Sequence, residues 1–500
     1  MGRFALFLIV LALTPNASSQ SLGVDVDATI DGIRNRFGVV GLSVAVVREG
    51  RVIYAKGFGE RQRGTGELVD ADTLFAIGSN TKAFTAAGLG ILVDDETLRW
   101  DDPVIDHLPW FQLHDPYVTR EITIRDILSH RSGLGRSGDL NWYATDYDRE
   151  EIVRRVRFLE PNSSFRSQAG YQNTMFLAAG LVSEALSQQS WDDWITSRLL
   201  RPLGMTRSLT TVRDIARVDN VASPHERIDD AIVAVPHRNI DNIAPAGSIL
   251  SSAAEMARWM GLMLGRGEIE GKRLLSESVI TELWKPNIIY PLPPEYLELF
   301  PSTHFSAYGL GWGLRDYHGR MLATHTGGID GMLSQVLLVP EEALGIVVLT
   351  NTSPMGSPAH NAVTFHVLDR LLGVPPSNFA DAFFEYAQAQ DAQQQSARRE
   401  RDASRVDGTT PSLPLASYVG EYDHLMYGTI SVDLQAGALV VTRHSKWTGD
   451  ATHWHYDTFV AQWRDVVMGE SLMSFGLGPS GAVDTLDVPG FASFERRRDP

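Results

Sequence analysis

The chain has 500 residues, a formal charge of −17, 43% hydrophobic and 21% charged residues, and no cysteine. That length exceeds what one hydrophobic core supports, so two or three domains are expected. The acidity, with no basic block to offset it, argues against nucleic acid or an anionic membrane as partner, and the missing cysteines exclude thiol catalysis and a Cys-based zinc site.

Arg3, the apolar run Phe4 to Leu13, and TPNASSQ with Ala17 and Ser19 at small-x-small spacing read as a secretory signal peptide over residues 1–19. A periplasmic or secreted location follows as an expectation. The run is too short to span a bilayer, and no later stretch offers a stable membrane anchor. Val26, Ile30, Ile33 and Phe37 recur at helical spacing. GLSVAVVREGRVIYAKGFG then reads as a hairpin turning at Glu49-Gly50. Helix followed by hairpin implies an antiparallel sheet with helices packed on it.

The stretch FAIGSNTKAFTAAGLGIL, Phe75 to Leu92, begins a helix that is apolar nearly all round and so predicted to be buried. Ser79 on its first turn lies among unpaired N–H groups, which suits a nucleophile whose attack creates an oxyanion. Lys82 follows one turn on, where burial favours its neutral form and lets it take the serine proton. Taken alone, the pair is equally a helix cap and a snorkelling lysine.

ITIRDILSH starts a helix with a capping box at Thr123 and Asp126, and Gly133 ends it. The polar loop from Gly135 to Asp148 offers Trp142 and Tyr143 as substrate contacts, or as aromatics that pin a surface loop. Tyr171 and Asn173 stand where a polar stretch meets a helix beginning near Thr174. There the phenol can shuttle a proton, its pKa lowered by Lys82, and the amide can bind a substrate carbonyl; an isolated Y-x-N favours instead a packing Tyr and a capping Asn. Residues 206–241 have little periodicity, and Ser252 with Glu255 is spaced as a capping box.

Strand signals return in YGLGWGLRDY and RMLATHTGG, separated by His318-Gly319, then in MLSQVLLVP and ALGIVVLTN. These add three or four antiparallel strands to the N-terminal hairpin. His325, Thr326, Gly327 and Gly328 fall at a strand end, where the Gly328 N–H can pair with that of Ser79 as an oxyanion hole. Residues from Asn378 to about Arg405 read as a partly exposed helical linker without a second apolar face. Beyond Leu415 the alternation is that of a small antiparallel sheet or barrel, in which His453 and His455 share a strand face. Without carboxylate or cysteine neighbours they read as surface histidines, and no metal or cofactor is called for.

In order, S-N-T-K at 79 to 82, Y-Q-N at 171 to 173 and H-T-G-G at 325 to 328 resemble the penicillin-recognising serine hydrolases related to class C β-lactamases. LSHRSGL, PAGSILSSAAEMARWM and GLGW look like that family too. The resemblance implies an α/β (α+β) fold whose site lies between a sheet-containing lobe and a helical lobe. It further implies a hydrolase domain over residues 20–375, a linker over 376–414 and a lipocalin-like domain over 415–500. By the same resemblance Ser79 is the acylated nucleophile, Lys82 its base, Tyr171 a proton relay and Asn173 the holder of the substrate amide. His325 departs from the lysine of true β-lactamases and gives at most part of a charge near neutral pH. The expectation is an exported serine hydrolase acting on a small peptide, amide or ester, monomeric or a homo-oligomer. The alternatives are a β-lactamase or D-alanyl-D-alanine carboxypeptidase, and a penicillin-sensor-like or lipid-binding protein.

Overall fold

The structure, a computed structural model, describes residues 22, 24–136 and 139–498. The predicted leader at 1–19 lies outside the described residues. Helix α1 (Val24–Arg36) leads into β1 (Gly41–Arg48) and β2 (Arg51–Gly59), which pair antiparallel around Glu49-Gly50. Glu49 and Gly50 both take positive φ, which a tight hairpin of this hand requires. Six further strands complete the sheet: β3 (Ile288–Ile289), β4 (Ser306–Tyr308), β5 (Gly313–Tyr317), β6 (Arg320–Ile329), β7 (Met332–Val339) and β8 (Leu344–Thr350). They are hydrogen-bonded in the order β2, β1, β8, β7, β6, β5, β4, β3, antiparallel throughout. YGLGWGLRDY, expected as one strand, is two, because Gly311 at φ +76° turns the chain between β4 and β5.

Both faces of the central strands β1, β7 and β8 are buried, whereas the edge strand β2 is largely exposed. Val44 and Val46 pack with Val26, Ile30 and Ile33 of α1, whereas Ala45 and Val47 point into the larger cluster on the other side. That larger cluster contains α2 (Thr81–Asp94), α3 (Asn173–Ser187) and α4 (Ala253–Leu264). Every residue of α2 from Thr81 to Leu92 is buried, as its all-round apolar pattern demands, and Phe84 stacks on Trp259 at 4.0 Å. Thr123 and Asp126 form the full capping box, but Ser252 caps alone: the Glu255 carboxylate turns to Arg207 N and Ser208 Oγ. Residues 206–241 hold more structure than their pattern announced, namely a helical turn at Val212–Arg217 and a hairpin of His225–Ile228 with Ala231–Ala234.

The sheet's other face is covered by α1, α6 (Gly356–Leu372) and the start of α7 (Phe379–Ala403), while α5 (Pro294–Leu299) precedes β4. Helix α7 is the stretch expected as a partly exposed helical linker without a second apolar face. Its first turns carry an apolar stripe: Phe379 and Phe383 are buried, and Phe384 meets Phe37 edge-on at 5.3 Å. A stripe only two turns long is hidden by the Gln-rich and charged residues that follow.

The C-terminal region is a closed eight-stranded antiparallel barrel from Gly420–His424 to Ala492–Arg496, sealed by pairing of its first and last strands. Tyr418, Tyr422, Phe459 and Phe475 fill its interior edge to face. His453 and His455 are separated by a register shift; His453 Nε2 meets the Tyr456 carbonyl and His455 Nδ1 accepts from Val406 N–H. The barrel grips residues 143–147 of the polar loop. Ser445 donates to Asp146 through both N–H (2.7 Å) and Oγ (2.6 Å), His444 meets Tyr147 edge-on at 4.6 Å, and Trp447 meets Tyr143 at 6.4 Å. Among the described residues no helix is long and apolar enough to cross a membrane.

Candidate active site

Ser79 sits in a short helical turn, Gly78–Asn80, that runs directly into α2. The turn is pinned from behind: Ser334 Oγ of β7 donates to the Ile77 carbonyl at 2.7 Å, and Asn80 Nδ2 donates to Ser334 Oγ at 2.8 Å. Two glycines make this contact of backbones feasible. A Cβ on Gly327 would stand 1.9 Å from the Ile77 oxygen, and one on Gly78, whose φ is +51°, would stand 2.5 Å from Gly328 N. The H-T-G-G strand is thereby brought beside the serine turn, with the Gly328 N–H near that of Ser79.

Lys82 is fully buried and donates to three oxygens: Ser79 Oγ at 2.9 Å, Asn173 Oδ1 at 2.7 Å and the Ala246 carbonyl at 2.8 Å. Burial pushes its pKa down to about 7, with the Asp139 carboxylate opposing that shift and the Arg136 cation adding to it. The Ala246 and Asn173 oxygens can only accept. They hold two N–H bonds in place, so that the third position on Nζ, proton or lone pair, faces Ser79.

Asp139 is the member of this group that sequence reasoning missed. Its carboxylate caps α3, accepting from Asn173 N at 2.8 Å, Asn173 Nδ2 at 2.7 Å and Thr174 N at 3.1 Å. Burial pushes its pKa up to about 6, against the pull of those N–H groups and of Lys82. Asn173 is consequently engaged at both ends of its amide, accepting from Lys82 through Oδ1 and donating to Asp139 through Nδ2.

Tyr171 lies over the same group, its ring 4.9 Å from Lys82 Nζ. The expected lowering of its pKa is reversed: burial pushes the phenol above its ordinary range, only partly offset by a hydrogen bond with Ser79 and by Arg136. His325 is likewise corrected. It is buried, Nδ1–H donates to the Thr326 carbonyl at 2.6 Å, and Nε2 accepts from Tyr308 Oη at 2.8 Å. Burial pushes its pKa down to about 3, so the ring is neutral and supplies no charge. Trp142 lines the cleft and donates through Nε1 to the Asp139 carbonyl at 2.6 Å. Tyr143 does not reach it; its hydroxyl donates to Asp330 (2.7 Å).

The cleft holds about 380 Å³ and is lined by Ser79, Arg136, Trp142, Tyr171, Asn173 and Gly328, with His325 and Thr326 on one wall. Set beside known proteins, residues 26–369 match the Beta-lactamase family. The chain belongs to the β-lactamase family. Residues 404–499 match a family described as a domain of unknown function, DUF3471. The unguisins hydrolase of Aspergillus campestris is 29% identical, over 94% of this chain and 90% of its own length. The octameric penicillin-binding protein homologue from Pyrococcus abyssi has a similar fold, with a TM-score of 0.63 and 21% identity over 94% of this chain and 98% of that one. A class C β-lactamase from Rhodobacter sphaeroides shares the fold over 69% of this chain and 99% of its own, with a TM-score of 0.55 and 20% identity. As a β-lactamase-family member the protein is a serine hydrolase, and the penicillin-binding and class C resemblance read from its three motifs is the right one.

Within that family frame, the cleft also depends on groups outside the three motifs: His130 in LSHRSGL and Ala246 in PAGSILSSAAEMARWM, and Asp139, which lies in neither. The Ala246 carbonyl carries no side-chain signature. Asp139 stands 34 residues before Asn173, in the polar loop that also carries Trp142 and Tyr143. His130, buried against the Tyr171 ring at 4.3 Å, accepts from Gln172 N–H at 3.2 Å and sets the corner from which Tyr171 projects.

Proposed function

We propose that the protein hydrolyses a small peptide, amide or ester through an acyl-enzyme on Ser79. The observation that carries this reading is the fully buried Lys82 amine, 2.9 Å from Ser79 Oγ and pushed down to about 7. In its neutral form Lys82 turns a lone pair toward Ser79 and takes the hydroxyl proton as Oγ attacks the carbonyl. The N–H groups of Ser79 and Gly328 receive the oxyanion. Tyr171, held protonated by burial, is suited to deliver a proton to the departing nitrogen or oxygen. Base and acid are thus separated by environment, a lysine pushed down beside a tyrosine pushed up. Asp139 and Asn173 act by positioning Lys82.

A β-lactamase or carboxypeptidase role is less favoured, because neutral His325 leaves a substrate carboxylate without the cation that a lysine supplies there. The N-terminal apolar run supports export, and the fold shared with an octameric homologue supports a homo-oligomer. Intact-protein mass spectrometry after fluorophosphonate treatment, with peptide mapping, tests the assignment. One adduct on Ser79 is expected, none in Ser79→Ala, and no stable adduct or consumption of penicillin. An unlabelled Ser79, or turnover retained by Ser79→Ala, would falsify it.

A further inference from the structure

A second cavity, of about 450 Å³, shares Tyr171, His325 and Thr326 with the Ser79 cleft and extends away from it. Tyr290, Tyr296, Phe300 and Leu314 line it, and Phe383 and Tyr386 of α7 also face it. Its walls are thus mostly apolar, of the size and character that enclose a small organic group. One wall residue does not fit an apolar role. Arg315 of β5 is only 7% exposed, and its guanidinium lies over the rings of Phe300 (4.3 Å), Phe365 (4.8 Å) and Tyr296 (5.3 Å). Among the described residues it has no hydrogen-bond or ion-pair partner, and its Nε is buried without one. Glu295, the carboxylate among the lining residues, is exposed and makes no ion pair with it.

Burying an arginine with no anion in hydrogen-bonding reach is costly, and the aromatic faces and the more distant charge of Asp316 offset only part of that cost. Natural structures pair such groups, so a guanidinium without an oxygen partner, on the wall of an open cavity, implies an anion that arrives from outside. A planar fork of N–H donors matches a carboxylate. We infer that this cavity is a substrate subsite for an apolar or aromatic group that ends in a carboxylate, with Arg315 as its counter-ion. Tyr171, His325 and Thr326 line both cavities, so the two adjoin, and the proposed ligand joins them along that shared lining. The anion site that His325 cannot provide is then supplied from a different strand. Calling the ligand part of a substrate rests on the acyl-enzyme reading of Ser79, whereas binding in the cavity does not.

Calorimetric titration of the full chain with 4-phenylbutyrate and with its uncharged counterpart 4-phenylbutyramide tests this. The acid is expected to bind about tenfold or more tightly than the amide. Arg315→Met should bring the acid to the level of the amide, while Ser79→Ala and Arg136→Ala keep the preference. Equal binding of acid and amide by the unaltered chain, or no binding of the acid, overturns the assignment without need of any variant that fails to fold. A preference that survives Arg315→Met, or vanishes in Arg136→Ala instead, overturns it too. Failure of Ser79 to take a fluorophosphonate would count against the hydrolase reading alone, because the titration does not depend on turnover.

Discussion

The protein buries two cations beside adjoining cavities and treats them oppositely. Lys82 finds three oxygens for its amine, whereas Arg315 finds three aromatic rings and no oxygen. Desolvation lowers both pKa values, to about 7 for the lysine and about 10 for the arginine. The same physical force therefore brings the lysine near neutrality and leaves the arginine charged at neutral pH. On the proposed roles, oxygen acceptors stand where a proton has to move, and aromatic faces stand where a charge has to remain.

The largest break in this comparison comes from Lys82→Met, which should lower kcat/KM by about 10²–10⁴-fold, the usual weight of a general base. In the unaltered protein kcat/KM should rise with pH through about 7, since below that value Nζ is protonated and cannot take the Ser79 proton. A pH–rate profile that is flat across this region would remove Lys82 from the base role. Next in size is the stability of Arg315→Met in the absence of ligand. Replacing an unpaired buried charge by an apolar side chain of similar length is expected to raise stability, by about 1–4 kcal/mol, read by chemical or thermal unfolding. A lower unfolding temperature would mean that the three rings alone satisfy the guanidinium. The smallest effect is that of Asp139→Asn. The Asp139 charge raises the Lys82 pKa, so its removal should move the acidic limb of the profile to lower pH. The weakened helix cap should lower stability by about 0.5–2 kcal/mol.

The two cations also differ in how legible they were. Lys82 announced itself through its spacing from Ser79 and the apolar helix that follows, and Tyr171, Asn173 and Gly328 were reached by the same ordered motifs. The sheet was readable because strands buried on both faces are runs of Val, Leu and Ile, and the hairpin because Glu49-Gly50 marks its turn. Arg315 had no such signal: an arginine in a strand looks like a solvent-facing residue until Phe300 and Phe365 are seen around it. The electrostatics of the site were misjudged for one reason, burial. Tyr171 was expected to be acidified by its lysine neighbour and His325 to carry part of a charge, but loss of water outweighs the neighbours in both. Asp139 was missed because a helix cap supplied from a distant loop leaves no pattern within the helix it caps.

Helix α7 extends the consequences of the fold beyond the cleft. Its first turns place Phe383 and Tyr386 in the cavity wall, while its far end is fastened to the barrel, Arg401 to Glu470 at 2.6 Å and Arg405 to the Trp454 carbonyl at 2.9 Å. At 25 residues it is a rod of about 37 Å. One continuous helix therefore touches both the wall of the Arg315 cavity and the barrel. Exchanging the barrel for another module would have to leave the first two turns of α7 in place, or the graft would remove Phe383 and Tyr386 from the wall of that cavity.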